Sequence, residues 1–168
     1  AVSCTYDTSA DRFLVMYNLQ DSSTAYNDVI KGRVGTVTGG GTNSVAYGTA
    51  TTILDHALIW GSSMDSCTTY ATSANRHVVT NRIYRLNSDS SVQDYEWASL
   101  TTEVTGGSTN TPSTGTYAQI SSGKYGDADS ESLCWDETND RLLTIHMDSG
   151  TDDWMHAVGS ISGSTITW

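Results

Sequence analysis

Two acidic stretches carry the side chains of this sequence that are best suited to bind a cation. GDADSES, residues 126–132, places Asp127, Asp129 and Glu131 at alternate positions, and DSGTDD, residues 148–153, concentrates three more carboxylates. Hard oxygen ligands at such spacing suit Ca²⁺, but neither stretch has the loop glycine and distal bidentate glutamate of an EF-hand. Solvated acidic loops are therefore the favoured interpretation. A calcium site at Asp127, Asp129 and Glu131 is the alternative, and no other cofactor is expected.

Aromatic residues in polar loops are the second group with chemical potential. Trp154 follows Asp152 and Asp153, and Tyr26 lies in a comparable polar loop. Two more aromatics, Trp60 and Tyr125, lie in stretches that connect larger segments. Aromatic faces beside Asp and Asn bind sugar rings, because the apolar ring face stacks and the hydroxyls form hydrogen bonds. Packing or assembly is the favoured role of these aromatics, and glycan binding is the alternative.

Length, charge and composition limit the class of protein. With 168 residues the chain suits one domain, and its net charge of −11 disfavours nucleic acid and anionic membrane surfaces as partners. No apolar run approaches the ~18 residues that a membrane span requires, so we expect no membrane insertion. Abundant Thr, Ser, Gly, Tyr and Val with short apolar runs predict an all-β fold. The three cysteines cannot all pair within one chain, and we expect them to be small buried hydrophobic residues.

Internal repetition is the strongest signal in the sequence. Three segments, YDTSADR, YATSANR and WDETNDR, share an aromatic residue six positions before an arginine and an acid or amide directly before it. The residues of this motif are Tyr6, Asp7, Asp11, Arg12, Tyr70, Asn75, Arg76, Trp135, Asp136, Asp140 and Arg141. In addition, VTGGGTNS at 37–44 returns as VTGGSTNT at 104–111 and, in abbreviated form, within SISGSTITW at 160–168. We therefore interpret residues 1–168 as one repeat domain, with repeats at approximately 1–55, 56–122 and 123–168.

Each repeat is predicted to form four antiparallel strands. The first strand ends at the motif aromatic, and the second begins at the arginine after a turn whose Asp and Asn side chains bond their own backbone. The third strand is expected to end at Val37, Val104 or Ile161. A glycine loop then leads to a fourth strand that carries YGTATTI or TGTYAQI.

The second strands indicate how the repeats pack. In RFLVMY and RLLTIH, residues 12–17 and 141–146, apolar residues occupy both parities, which predicts that both faces of these strands are covered. Four-stranded units covered on both faces fit the blades of a β-propeller. A β-trefoil, which also has three four-stranded repeats, is the alternative architecture.

The repeat motif resembles a known type of sequence. Aromatic-Asp-x-x-x-Asp-Arg before an apolar strand, followed by V-G-T-V-T-G or V-G-S-I-S-G and a Y-G-T or I-T-W strand, is similar to the propeller-type blade repeats of tailed-phage virion proteins, especially those of aquatic phages. The matching segments are 6–12, 34–39 and 47–49 in the first repeat and 135–141 and 158–163 in the third. Repeat two departs from the pattern, with Ala71 in place of the aspartate. The resemblance implies an extracellular role on a virion surface, in capsid decoration, in a tail fibre or in host recognition.

Catalysis is not expected, and a glycoside hydrolase is the less favoured alternative. A sialidase-like site needs clustered arginines, a tyrosine nucleophile and converging carboxylates. The chain has six arginines, of which Arg12, Arg76 and Arg141 occupy equivalent turn positions. The Asp-box pattern is absent from the sequence, and so is a G-x-S-x-G nucleophile elbow.

Three repeats raise a problem of closure. Propeller rings typically close with four to eight blades, so a stack of three leaves two open ends. We therefore expect a homo-oligomer, a longer polypeptide, or docking on other virion proteins to cover them. A surface glycan is the alternative partner.

Overall fold

The chain folds into three separate antiparallel β-sheets. The structure, a computed structural model, describes residues 2–20, 28–38, 44–55, 67–86, 92–104, 112–120, 131–148 and 153–168. These ranges contain strands and turns, no helix, and no sheet that closes into a barrel. The all-β prediction is therefore confirmed for the described part of the chain.

Each sheet is built from strands that are consecutive in the sequence. Sheet 1 has the order β1-β2-β3-β4, with β5 also paired to β3, and its strands are Val2–Asp7, Arg12–Gln20, Asp28–Thr38, Ser44–Tyr47 and Thr51–Asp55. Sheet 2 has the order β10-β8-β7-β6, with β9 also paired to β8, and its strands β6 to β10 are Cys67–Ala71, Arg76–Leu86, Val92–Val104, Pro112–Thr114 and Ala118–Gln119. Sheet 3 has the order β11-β12-β13-β14, with strands Glu131–Asp136, Arg141–Asp148, Asp153–Ser162 and Thr165–Thr167.

The same turn joins the first two strands of every sheet. Its last residue is Asp11, Asn75 or Asp140, with φ values of 53°, 51° and 54°. Asp and Asn tolerate this left-handed conformation better than other residues with a Cβ, which explains the acid or amide before each arginine. The turn begins with the carboxylate of Asp7 or Asp136, which accepts hydrogen bonds from backbone N–H groups two and three residues later.

Substitution of Asp140 tests this account of the turn. Because its φ is 54°, Asp140→Val is expected to lower the free energy of unfolding by about 1–2 kcal/mol, whereas Asp140→Gly should be close to neutral. Urea unfolding of both variants measures the difference. Glu137→Val is the matched control, since Glu137 is exposed in the same turn without a positive φ. Equal losses for the Gly and Val variants of Asp140 would contradict the explanation.

The fourth strand of sheets 1 and 2 differs from its prediction. The continuous strand predicted around YGTATTI is divided into β4 and β5, and TGTYAQI is divided in the same way between β9 and β10. The break follows from a glycine in each repeat. The Gly48 N–H donates to the Val34 carbonyl and the Gly115 N–H donates to the Thr101 carbonyl, so the chain bends at equivalent positions.

Burial along the second strands shows which faces are covered. We call face A the side of each sheet that carries the second and fourth residues after the repeat arginine, and face B the opposite side. In β7 every side chain from residue 77 to residue 81 is buried, so both faces of sheet 2 are covered. In β2 only face A is buried, through Leu14 and Met16, and in β12 only face B, through Leu142, Thr144 and His146. The prediction that RFLVMY and RLLTIH are covered on both faces was therefore wrong, because sheets 1 and 3 each have one neighbouring sheet.

Two apolar clusters hold the stack together. The first joins face A of sheet 1 to face B of sheet 2 and consists of Leu14, Met16, Ile30, Val34, Ile53 and Val79. The second joins face A of sheet 2 to face B of sheet 3 through Ala71, Val78, Leu142 and Ile166. Trp168 packs against this second cluster, and its indole N–H donates to the Ser99 hydroxyl at 2.7 Å. Sheet 2 therefore lies between the other two sheets.

The cysteines correct another expectation. All three are free thiols, and Cys4 and Cys134 are exposed while Cys67 is partly buried. The prediction of small buried hydrophobic residues was wrong for Cys4 and Cys134. The cause is their location: Cys4 pairs with Val15 on face B of sheet 1, and Cys134 pairs with Leu143 on face A of sheet 3, and these two faces have no neighbouring sheet within the described ranges.

Candidate functional site

The repeat arginines bond to the backbone of their own turns. Nη1 of Arg12 donates to the carbonyls of Ala10 and Asp11, and Nη1 of Arg141 donates to those of Asn139 and Asp140. Arg76 bonds to the Asn75 carbonyl, and its Nε also reaches the Gly163 carbonyl of sheet 3 at 3.3 Å. These contacts hold the turns and, for Arg76, join two sheets.

The motif tyrosines also bond within their turns. The Tyr6 hydroxyl donates to Oδ1 of Asp11, and the Tyr70 hydroxyl donates to Oδ1 of Asn75 at 2.8 Å. At the third position Trp135 replaces tyrosine, and no hydrogen-bond partner for its buried indole N–H is found within the described residues. The three turns therefore share a backbone geometry, but only the first two share the hydrogen bond from the motif aromatic residue.

A buried polar cluster lies between sheets 1 and 2. Asp7 is 1% exposed and His77 is fully buried, and Oδ2 of Asp7 lies 4.0 Å from Nε2 of His77. The Ser9 hydroxyl lies 2.7 Å from Oδ1 of Asp7 and 2.9 Å from Oδ1 of Asn75. The Tyr70 ring packs against the His77 ring with centroids 5.1 Å apart. Side chains from two repeats thus meet in one cluster, in which Asp7 and His77 are buried while Ser9 and Asn75 are exposed.

The protonation states in this cluster follow from burial and hydrogen bonding. Burial lowers the pKa of His77 to about 4, and the neighbouring Asp7 carboxylate offsets only part of this effect. Burial would raise the pKa of Asp7, but hydrogen bonds from Tyr70, Ala10 and Ser9 outweigh it, so that the pKa of Asp7 is lowered. Burial also raises the pKa of Tyr70. At neutral pH the cluster therefore contains a carboxylate, a neutral imidazole and a neutral phenol.

This cluster has the residue types of an acid–base pair but not the geometry of a reaction site. The 4.0 Å between Asp7 and His77 is longer than a hydrogen bond, and both side chains are enclosed between sheets where no substrate can reach them. Sequence reasoning missed the cluster because Asp7 and His77 belong to different repeats. Their contact depends on which faces of the sheets meet, and the repeat motif does not contain that information.

An exposed apolar surface lies on face A of sheet 3. It borders a shallow cavity of about 370 Å³ that is lined by Leu143, Ile145, Trp154, Met155 and His156. Trp154 is 64% exposed and Val158 is 53% exposed. Asp153, at the start of β13, is also exposed, but it pairs with Asp148 and lies on face B, so among the predicted glycan-binding residues that the structure describes only Trp154 lies at this surface. The sequence singled out Trp154 but not Leu143, Ile145 and Val158; Leu143 and Ile145 were missed because RLLTIH was predicted to be covered on both faces.

The other predicted site residues fall largely outside the described residues. This applies to Tyr26, Trp60, Tyr125 and Asp152 among the glycan candidates and to Asp127 and Asp129 among the calcium candidates. Glu131 begins β11, where only its backbone is described. Within the described ranges no group of three or more His, Cys, Asp or Glu side chains is arranged to hold a metal ion.

A second exposed apolar surface lies on face B of sheet 1. Its most exposed members are Val2 at 74%, Val37 at 60% and Tyr47 at 54%, and Tyr6 is 49% exposed. The Phe13 ring packs edge-on to Tyr47 with centroids 5.8 Å apart, and it lies directly over Gly35, where a Cβ would clash with the ring. The glycine thus allows an aromatic ring to lie on this face, which also carries the exposed Arg33 beside Val15.

No family model matches the chain, and no curated protein matches it. In the part of the chain that the structure describes, no helix is long and apolar enough to cross a membrane. The repeat motif and the two exposed apolar surfaces are therefore the features of the chain that bear on its function.

Proposed function

We propose that this chain is a non-enzymatic structural and assembly module of a virion surface, built from propeller-like blades. The role is capsid decoration or a tail-associated position. One observation carries the proposal: among the described residues, each end of the stack is a sheet face with exposed apolar side chains and no neighbouring sheet, while the sheet between them is covered on both sides. Contiguous exposed apolar faces of this kind are typical of interaction surfaces.

Three further features support this proposal. The three sheets stack in the order of the sequence, which supports a propeller-like arrangement, since consecutive blades of a propeller pack against each other. The repeat motif resembles that of phage virion proteins. The motif arginines and acids bond to the backbone of their own turns, which favours a structural role for them over a catalytic one. The net charge of −11 suits a particle component that must not bind the genome.

Mass spectrometry of particles tests the assignment. Virions from the source of the gene would be purified on a density gradient, and the chain would be quantified relative to the major capsid protein. We expect the chain to sediment with intact particles. Many copies per particle would indicate decoration, and a few copies would indicate a tail-associated position. Absence from purified particles would refute the virion assignment.

Glycan recognition is the second candidate, and the surface around Trp154 favours it. An exposed indole that lines a shallow cavity is suited to stack on a sugar ring. We expect this surface to serve assembly, so a glycan array with the purified chain should give no competable signal. Competable binding that falls at least about tenfold in Trp154→Ala, and not in Tyr47→Ala, would instead establish the recognition function. Tyr47 is a matched control because it is an exposed aromatic residue on the other end face.

A further inference from the structure

The two contacts between sheets inside the chain have the same direction. Face A of sheet 1 packs against face B of sheet 2, where Leu14 and Met16 meet Val79. Face A of sheet 2 then packs against face B of sheet 3, where Val78 meets Leu142. The chain therefore makes one type of interface twice, and it always joins face A of one sheet to face B of the next.

Because each internal interface joins a face A to a face B, face B of sheet 1 and face A of sheet 3 have no partner sheet among the described residues. Four residues on face A of sheet 3 occupy the strand positions of four residues that are fully buried on face A of sheet 1. The equivalent pairs are Leu143 and Leu14, Ile145 and Met16, Val158 and Val34, and Trp154 and Ile30. Ile145, Trp154 and Val158 are 38%, 64% and 53% exposed. Face A of sheet 3 therefore carries apolar residues at the positions that form the interface elsewhere.

Face B of sheet 1 has exposed or partly buried residues at positions where the equivalent residues on face B of sheet 2 are buried. Tyr6 is 49% exposed, whereas Tyr70 at the same position of sheet 2 is 9% exposed in the contact with sheet 1. Phe13 and Val15 are partly buried, whereas their equivalents His77 and Val79 are fully buried. This end face is thus the half that would receive a face A.

We propose that face A of sheet 3 binds face B of sheet 1 on a second copy of this chain, so that copies associate head to tail. The proposal rests on the proposed assembly role and names its partner. A second copy is the occupant that the observations favour, because the two exposed faces are the two halves of an interface that the chain already forms internally. Two copies joined at both ends would contain six sheets, within the four to eight blades that typically close a propeller.

The internal interface also predicts which atoms meet. At the junction of sheets 1 and 2, the hydroxyls of Ser3 and Thr68 lie 2.6 Å apart. Relative to the repeat arginines, Ser132 of sheet 3 is equivalent to Ser3, and Cys4 of sheet 1 is equivalent to Thr68. Both Ser132 and Cys4 are exposed. In the assembly, Ser132 should therefore lie next to Cys4 of the second copy.

A disulfide cross-link tests this contact. Ser132→Cys would be made together with Cys134→Ser, which removes the neighbouring thiol, and the chain would be oxidised mildly and separated without reductant. We expect disulfide-linked species that form at least about tenfold faster than in the control Ser113→Cys, because a preformed contact raises the effective thiol concentration. Ser113 is an equally exposed serine of sheet 2. Additional Cys4→Ser should abolish the product, and reductant should reverse it. Cross-linking no faster than in Ser113→Cys would overturn the proposed contact.

Complementation of two blocked variants tests the direction of assembly without disulfide chemistry. Cys4→Lys places a charge on face B of sheet 1, and Ile145→Lys places one on face A of sheet 3; both positions are exposed, so the fold should tolerate them. Native mass spectrometry should show oligomers of the 18.0 kDa wild-type chain, single chains for each variant alone, and mixed pairs when the variants are combined. A variant that still forms pairs alone would indicate that like faces associate, which contradicts the proposal.

The outcomes separate this proposal from the proposed function. A wild-type chain that remains a single chain at about 100 μM, well above the micromolar range of ordinary specific contacts, overturns the head-to-tail association. The virion assignment is judged by particle mass spectrometry alone, so it can stand while the self-association fails. Conversely, if the chain forms oligomers with the predicted cross-link but is absent from particles, the head-to-tail association is supported and the virion assignment is refuted.

Discussion

Replacing Leu14 by alanine is expected to lower the free energy of unfolding by about 2–5 kcal/mol. Leu14 is fully buried between sheets 1 and 2, where it packs with Met16, Ile30, Val34 and Val79. Removal of its side chain takes apolar surface out of the cluster and leaves a cavity that two rigid sheets cannot readily fill. Urea denaturation followed by tryptophan fluorescence would measure the loss.

Leu19 provides a matched control for this prediction on the same strand. It is 47% exposed on face B of sheet 1, so Leu19→Ala should cost less than about 1 kcal/mol when measured on dilute, unassociated chain. A comparable loss in both variants would mean that face B of sheet 1 is covered within a single chain. That result would remove the basis for two open end faces.

Acidification from pH 7 to pH 4 is expected to cost about 3 kcal/mol of stability through His77 alone. The pKa of His77 is lowered from 6.5 to about 4 in the folded chain, so the unfolded chain binds a proton below pH 6.5 that the folded chain does not bind. The contribution of the neutral imidazole is therefore complete above pH 6.5 and falls steadily until about pH 4. Asp7, whose pKa is lowered by folding, adds a further loss only at lower pH, near and below its ordinary value of 3.8.

Denaturation curves at several pH values would test the role of His77. His77→Phe introduces the residue that repeat one has at the same position, and His77→Gln removes the titrating group with a polar side chain. The difference in unfolding free energy between wild type and each variant isolates His77 from the other histidines. The unfolding free energy of the wild type minus that of the variant should decrease as the pH falls from 6.5 to 4, because only the wild type contains the titrating His77. A difference that does not depend on pH would contradict the assignment.

The sequence contained enough information to predict the turns and the all-β fold. A motif that ends in Asp or Asn before Arg specifies a turn with a left-handed residue, and Asp11, Asn75 and Asp140 adopt that conformation. Such a local conformation depends on side chains within a few residues, so it can be read from a short motif. The break of the fourth strand was missed because Gly48 and Gly115 could equally have continued a strand.

The candidate site was less accessible to prediction than the fold. In β2 and β12, apolar side chains point to both faces of the strand. This pattern indicates that both faces can be covered, but it does not show whether a neighbouring sheet is present. Leu143 and Ile145 therefore looked like core residues although they lie at an end face. Likewise, nothing local to Asp7 indicates that His77 lies opposite, because that contact is created by the stacking of two sheets.

The central position of sheet 2 has a consequence for the motions of the chain. Amide hydrogens of β7, which lies between two covering sheets, should exchange with solvent most slowly, since their exposure requires the stack to come apart. Sheets 1 and 3 each have one supporting contact, so either can open without the other, as terminal units do in repeat proteins. Association at the end faces would then slow exchange first in the outer sheets and leave sheet 2 almost unchanged.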